Sequence, residues 1–469
     1  MNTHDEFRCT GNCEECGRCN GINRIIKADN SKTRKMYFPD DFQAETGGEG
    51  LGAAFDIGTT TVVGMLWDLK TGRMLDILAE NNPQCIYGAD VISRITYCGR
   101  SEEKLTELSG MIRSKIDEML GVMCARQAAA QAAGQTSGQP VQQTAVQRIA
   151  VCGNTTMSHL AGGYDPMPLA LAPFKPAYEG ELVLQAEDMQ ITAAPGCTVT
   201  VIPNLAGHVG GDINAGIVAS RLLDRKALTL FIDIGTNGEM VLTDGERMLV
   251  CSTAAGPAFE GAGISQGMRA CAGAVEQVSI RGSKVVLSVI GGGEPVGICG
   301  SGLISAVSEM VREGVIDATG KMDRAHPLVR LVDGRATCVL GEKTDGSVIG
   351  LTQKDIREVQ LAKGAMQAGA SILLKSLGRQ PEEIRKVLVA GAFGNCIDCG
   401  AASGIGLLPR IPLERIETVG NTAGAGISMV LMSQREAALA RGMAARVEHV
   451  ELAAWPDFEK EYMNALSFE

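Results

Sequence analysis

Phe55-Asp56-Ile57-Gly58-Thr59-Thr60 and Ile232-Asp233-Ile234-Gly235-Thr236-Asn237 are two copies of one pattern in a chain of 469 residues. Each follows a short apolar run and precedes another, Thr61 to Leu66 in the first copy and Glu239 to Leu242 in the second. The repeat implies two homologous lobes, each opening with a strand, a tight turn and a second strand. A backbone that turns at Gly-Thr aims successive N–H groups and a hydroxyl at phosphate oxygens, and glycine permits the close approach. Gly58, Thr59 and Thr60 and, in the second copy, Gly235, Thr236 and Asn237 are therefore the candidate phosphate contacts. The Asp before each turn then faces the phosphates. Mg2+ keeps several waters and takes few protein carboxylates, so Asp56 and Asp233 make a sensible pair for a hydrated ion. A single Asp-x-Gly-Thr reads equally well as a hairpin turn, where Asp and Gly are favoured for local reasons. Two copies in matching strand contexts favour phosphate.

A third element is Val387-Leu388-Val389-Ala390-Gly391-Ala392-Phe393-Gly394-Asn395, an apolar strand ending in small residues. Gly391, Ala392 and Gly394 leave room for a flat adenine or a ribose against the chain. Alone, the stretch is also a tightly packed strand-to-helix turn, but it follows the two turns in the order phosphate, phosphate, adenosine. Gly297-Ile298-Cys299-Gly300-Ser301-Gly302-Leu303 opens a helix, where Gly300 and Ser301 can offer N–H groups to an anion, and a plain glycine-rich turn into a packed helix fits equally. The loop Ala254-Ala255-Gly256-Pro257-Ala258-Phe259-Glu260-Gly261 comes shortly after the second turn and borders the expected cleft; no chemistry is assigned to it. Hydrolysis needs a carboxylate to position the attacking water. Asp233 and Glu239 compete for that role, and Glu239 reads more readily as a solvated residue at a strand start.

Composition narrows the class. With 45% hydrophobic residues the chain can bury more than one core. The 43 Lys+Arg against 54 Asp+Glu give a net charge of -11, which argues against a nucleic-acid partner held by phosphate neutralisation. No apolar run approaches the roughly 18 residues of a membrane span, and Met1-Asn2-Thr3-His4-Asp5 is polar rather than a secretory signal, so a cytoplasmic protein without a membrane partner is expected. Fifteen cysteines, an odd number, exclude a complete disulfide framework and favour thiol chemistry or metal ligation. The 58 glycines and 4% aromatic residues suit a nucleotide-binding protein with many close backbone approaches.

The first fifty residues differ from the rest. Cys9, Cys13, Cys16 and Cys19 fall within eleven residues, a basic stretch follows, and Gly47-Gly48-Glu49-Gly50 reads as a joint. Residues 1–50 are expected to form a Cys-rich module and linker, 51–225 the first lobe and 226–469 the second. Apolar spacing from Leu105 to Leu120 predicts a helix over Ser101 to Ala125. The Ala/Gln-rich run from Arg126 to Gln147 is expected to be an extended or disordered loop. Strands over Arg148 to Cys152, Thr198 to Pro203, Leu228 to Asp233 and Val387 to Ala390 alternate with helices over Gly302 to Glu313, Gln353 to Leu377 and Gly424 to Ala440. That alternation is α/β layering.

Taken together, Asp56-Ile57-Gly58-Thr59-Thr60-Thr61, Tyr87-Gly88-Ala89-Asp90-Val91-Ile92-Ser93-Arg94, Gly153-Asn154-Thr155-Thr156-Met157, Ile232 to Glu239 and Gly391 to Asn395 resemble the reductive activators of corrinoid proteins. The likeness continues through Gly256 to Gly261, Leu361-Ala362-Lys363-Gly364-Ala365 and Gly406-Leu407-Leu408-Pro409, covering about residues 52 to 435. The resemblance implies an α/β, two-lobed actin-like fold, a duplicated ribonuclease H-like unit of the acetate and sugar kinase, Hsp70 and actin superfamily. It implies an ATPase that couples ATP to an uphill electron transfer, returning cob(II)alamin in a partner corrinoid protein to cob(I)alamin, with an external reductant and a homodimeric assembly. The family carries a plant-ferredoxin-like 2Fe–2S domain, and here the chain departs from it. The segment before residue 52 is too short for such a domain, and its C-x3-C-x2-C-x2-C spacing is not plant-type. Cys13, Cys16 and Cys19 resemble the C-x2-C-x2-C run of a 4Fe–4S loop, with Cys9 as candidate fourth ligand. The same four thiolates can hold Zn2+, or nothing. Cys396 and Cys399 form a second pair, read chiefly as buried thiols.

Two other functions fit the motifs. A small-molecule kinase of the same fold needs a carboxylate base and a polar pocket for a hydroxyl, which no motif supplies. A nucleotide-switched binding protein needs only lobe closure by ATP, and Zn2+ at the cysteines favours it. The acceptor can equally be another metallocofactor protein.

Overall fold

The structure, a computed structural model, describes residues 36–88, 90–134, 141–391 and 397–468. The first lobe is a six-stranded sheet. Its strands are β1 (Leu51–Ile57), β2 (Thr61–Asp68), β3 (Arg73–Asn81), β4 (Val146–Gly153), β5 (Leu182–Gln185) and β6 (Thr198–Val201), in the order β3-β2-β1-β4-β6-β5. Its helices are α1 (Val91–Cys98), α2 (Glu102–Ala132), α3 (Thr155–Gly162) and α4 (Gly211–Ala219). The second lobe opens with β7 (Thr229–Ile234), β8 (Gly238–Thr243) and β9 (Met248–Thr253). An insertion follows, with two three-stranded sheets made from β10 (Ala274–Arg281), β11 (Lys284–Val289), β12 (Gly297–Ile298), β13 (Val329–Val332), β14 (Arg335–Glu342) and β15 (Val348–Thr352), together with α5 (Gly300–Arg312) and α6 (Gln353–Ser376). The lobe resumes with β16 (Lys386–Ala390), α7 (Cys399–Gly404), β17 (Ile416–Gly420), α8 (Thr422–Met432), α9 (Gln434–Arg441), β18 (Glu448–His449) and α10 (Phe458–Asn464). Its main sheet has the order β17-β16-β7-β8-β9-β18.

The two main sheets repeat each other over five strands, with β5 added beyond β6 in the first and β18 beyond β9 in the second. In the first, β1 pairs antiparallel with β2 and parallel with β4, and β4 pairs parallel with β6. In the second, β7 pairs antiparallel with β8 and parallel with β16, and β16 pairs parallel with β17. The third parallel strand of each set leads into a helix, α4 or α8, and these two helices cross in the middle of the molecule. Glycine makes the crossing close: a Cβ on Gly426 of α8 would lie 1.9 Å from the carbonyl oxygen of Ala215 on α4. A shared core then forms from both lobes, with Ala54, Cys152, Ile213, Phe231, Leu388, Ala390 and Ile427 all buried in it. This duplicated, two-lobed α/β architecture has the paired lobes expected from the two turns and is the actin-like fold that the resemblance implies.

Four expectations are corrected. The helix α2 does not stop at Ala125 but continues to Ala132. Leu108, Ile112, Ile116, Met119 and Leu120 anchor it in the core, and the run that follows is rich in alanine, the best helix former, so the helix continues without burying more surface. Gln143–Ala145 is a short 3-10 turn and β4 already begins at Val146, so little of the expected loop remains within the described residues. The helix expected over Gly424 to Ala440 is two, broken at Ser433, which adopts an extended backbone and whose hydroxyl caps the second. Residues 36–50 are not a free linker. Phe38 stacks on Phe42 at 5.5 Å and meets Trp67 edge-on at 5.9 Å, Asp41 pairs with Arg221 at 3.0 Å, and the Glu45 amide donates to the Met432 carbonyl at 2.8 Å. No helix among the described residues is long and apolar enough to cross a membrane.

Candidate active site

Both Asp-x-Gly-Thr turns form the tips of antiparallel hairpins, and the two tips face each other across the cleft. In the first, the Gly58 amide donates to the Thr61 carbonyl at 2.9 Å; in the second, the Gly235 amide donates to the Asn237 carbonyl at 3.0 Å. The first tip is held from outside. The Asn82 side chain donates to the Gly58 carbonyl at 2.9 Å, and Asn154, which caps α3, donates to the Thr59 hydroxyl at 2.8 Å. Arg94, fully buried on α1, donates to the Thr59 carbonyl, and to the Gly88 carbonyl at 3.1 Å. It has no carboxylate partner among its hydrogen bonds, so its charge sits in the wall behind the turn.

Strand register sets the acidic groups in two facing rows. Asp56 lies opposite Cys152 on β4. Asp233 lies between Ala390 on β16 and Glu239 on β8, and Glu239 lies opposite Ser252 on β9. Directly opposed residues project to the same face, so Asp233, Glu239 and Ser252 share the cleft side. Ser252 donates to Glu239 at 3.3 Å, and Cys152 lies 3.9 Å from the Asp56 carboxylate. Asp212, in the first turn of α4, completes the group. Asn421, the cap of α8, donates to Asp56 at 3.3 Å.

These four carboxylates form no ion pair with a basic side chain among the described residues. Burial, then the charge of Asp212, pushes Asp56 up to about 7. Burial, then Asp212 and Asp56, pushes Asp233 up to about 8. Burial alone lifts Asp212 to about 6, and burial with Asp212 and Asp233 holds Glu239 well above the usual range. The Cys152 thiol is raised too, first by burial and then by Asp56. Like charges held in a water-poor cleft call for a cation. No three Asp, Glu, His or Cys groups among the described residues converge tightly enough to enclose an ion directly. The donor set therefore fits Mg2+, which keeps its own waters and a ligand's phosphate oxygens, and not an all-protein cage.

The remaining sequence candidates are placed as follows. Gly391, at the end of β16, has φ +94°, and a Cβ there would lie 2.7 Å from the Asp233 carboxylate oxygen, so only glycine lets this strand pass over the second turn. Ala392, Gly394 and Cys396 lie outside the described residues, as do Cys9, Cys13, Cys16 and Cys19. Gly300 and Ser301 open α5, where Ser301 is buried 3.3 Å from the Cys299 sulfur and neither residue hydrogen-bonds to the acidic group. Glu239 is not solvated: it is 7% exposed. Asp212, Asn421, Asn154, Arg94 and Glu260 were not singled out from the sequence. Asp212 follows Gly210-Gly211 after β6, the only local mark it carries. Glu260, in the loop left without chemistry, accepts from Thr60 at 2.6 Å and from Thr236 at 2.6 Å, one hydroxyl from each turn.

Comparison with known proteins agrees with this architecture. Residues 51–225 match the family description "RACo middle region", and residues 227–469 match "C-terminal domain of RACo the ASKHA domain". Corrinoid activation enzyme RamQ of Eubacterium limosum is 37% identical over 424 residues, 88% of this chain and 69% of that protein. The Co(II) methylated amine-specific corrinoid protein reductase of Methanosarcina barkeri is 27% identical over 451 residues, 89% of this chain and 77% of that protein. A solved structure titled reductive activator for corrinoid, iron-sulfur protein superposes with a TM-score of 0.80 at 36% identity, covering 90% of this chain and 67% of that one. The chain belongs to the RACo family, the reductive activators of corrinoid proteins, and its second half is an ASKHA domain.

Proposed function

We propose that the protein is an ATP-dependent reductive activator that returns an inactive cob(II)alamin in a partner corrinoid protein to cob(I)alamin. The observation that carries the reading is the pairing of two Asp-x-Gly-Thr turns around four buried carboxylates that have no basic partner among the described residues. The names of the relatives point to the substrate. ATP binds in the cleft with its phosphates on Gly58 to Thr60 and Gly235 to Asn237 and its adenosine beyond Gly391. Asp56, Asp212 and Asp233 would hold a hydrated Mg2+, which would neutralise phosphate charge when bound. Glu239, buried and hydrogen-bonded by Ser252, and Asp233 are the candidates to orient the attacking water and take up its proton. Water and ATP give ADP and phosphate; one electron from an external reductant converts cob(II)alamin to cob(I)alamin. Cys9, Cys13, Cys16 and Cys19 are the proposed electron entry, as a 4Fe–4S site, and the protein is proposed to act as a homodimer.

The test combines two assays on anaerobically purified protein. ATP turnover is expected to fall by at least about a hundredfold in Asp233→Asn, with ATP still bound. Iron and sulfide near about four per chain, lost on replacing Cys13 and Cys16 by Ser, support the cluster; zinc alone at those cysteines overturns it and leaves an ATPase supplied with electrons from elsewhere.

A further inference from the structure

Glu260 touches both phosphate turns. Its two carboxylate oxygens each accept a hydrogen bond of 2.6 Å, one from Thr60 in the first lobe and one from Thr236 in the second. Such lengths are those of hydroxyl donors to a charged acceptor. The Thr236 side chain is buried, and the contact to Thr60 ties together parts of the chain 200 positions apart. A carboxylate and a phosphate group present the same thing to these hydroxyls: a compact anion with oxygens to accept their protons.

We propose that Glu260 is a built-in phosphate mimic that latches the lobes until a nucleotide phosphate takes over its two hydroxyl donors. The inference rests on the reading of the two turns as a nucleotide site. A hydroxyl has one proton to donate, so Thr60 and Thr236 cannot serve Glu260 and a phosphate oxygen together. A triphosphate on the turns also repels the carboxylate. Entry of ATP therefore expels the Glu260 side chain, while Ala258 and Phe259 of the short turn Pro257–Glu260 stay buried in the core of the second lobe. On its far side the turn lies against the 267–269 segment: a Cβ on Gly261 would lie 2.7 Å from the Met268 amide nitrogen, and Arg269 hydrogen-bonds to Asn81 of the first lobe. Loss of the latch removes the contact from Glu260 to Thr60, so the loop 256–269, which carries both Glu260 and Arg269, is the part of the surface that reports whether phosphate is bound.

The test measures binding of ATP and of AMP to the full chain and to Glu260→Gln and Glu260→Ala, with deuterium uptake of residues 256–269 as a second readout. ATP, whose distal phosphates compete with the carboxylate, is expected to bind about tenfold tighter to both variants, while AMP affinity stays within about twofold. Uptake across 256–269 is expected to rise when ATP is added to the unaltered chain, and to be raised already in Glu260→Ala without nucleotide. Unchanged or weakened ATP binding in Glu260→Gln, or uptake indifferent to ATP, overturns the latch while leaving the nucleotide site standing. If the unaltered chain binds no ATP, the nucleotide site itself fails and the latch with it.

Discussion

Asp56, Asp212, Asp233 and Glu239 set the behaviour of the cleft because four acids share a space with no base. The folded-state values of Asp56, Asp212 and Asp233, about 7, about 6 and about 8, all lie above the ordinary 3.8. Their contribution to stability is therefore complete below about 3.8, declines as pH rises above it, and is fully lost once pH has passed through the folded values of about 6 to 8, because the folded state keeps protons that the unfolded chain has already given up. The melting temperature of the nucleotide-free protein should fall between about pH 4 and 8 and level off above that, and saturating Mg2+ and ATP should flatten the slope. A nucleotide-free profile that rises over this range contradicts the acidic cluster. Asp233→Asn removes one buried charge, so the same thermal melt should show it gaining on the unaltered protein above about pH 7 even as its turnover is lost. Asp56 and Asp233 were legible in the sequence because each sits inside a local motif with its own glycine. Asp212, Asn421 and Glu260 were not, because they come from helix starts and a loop that only the folded sheets bring to the turns. Glu239 was misjudged for a related reason: a strand residue reads as solvated until its neighbour β9 is known to cover it.

At the scale of elements, the crossing of α4 and α8 determines how the lobes meet. The carbonyl of Ala215 is backbone and cannot move aside from a Cβ built at 1.9 Å, so Gly426→Ala should cost about 1–3 kcal/mol in chemical denaturation. Gly110 of α2 offers the opposite case. A Cβ there meets nothing within 4 Å, and Gly110→Ala should stabilise by about 0.5–1 kcal/mol in the same experiment. If both substitutions act alike, the close crossing is not the constraint it is taken to be. The spacing of Leu108, Ile112, Ile116 and Met119 made the existence of α2 plain, but its end was hidden, since alanine runs continue a helix without the apolar periodicity that marks one. The break at Ser433 was hidden for the converse reason, because apolar residues on both sides keep the helical pattern across it.

For the whole molecule, duplication is the organising fact. Two sheets with five strands in matching order each supply one Asp-bearing turn, and the crossing helices hold them on either side of one cleft. That much followed from the repeat of Asp56-Ile57-Gly58-Thr59 at Asp233-Ile234-Gly235-Thr236. The insertion of two small sheets between β9 and β16 did not, because its strands carry no repeat of the first lobe. The described segment begins at Met36, which bridges to Gly420, next to the Asn421 cap that touches Asp56. The most direct test of a reductive activator is the cobalt state of its substrate. Anaerobic protein mixed with a cob(II)alamin-loaded corrinoid protein and a low-potential reductant should give cob(I)alamin, read by its absorption spectrum, only when hydrolysable ATP and Mg2+ are present and not with Asp233→Asn. Equal cob(I)alamin formation without ATP, or with Asp233→Asn, contradicts the account.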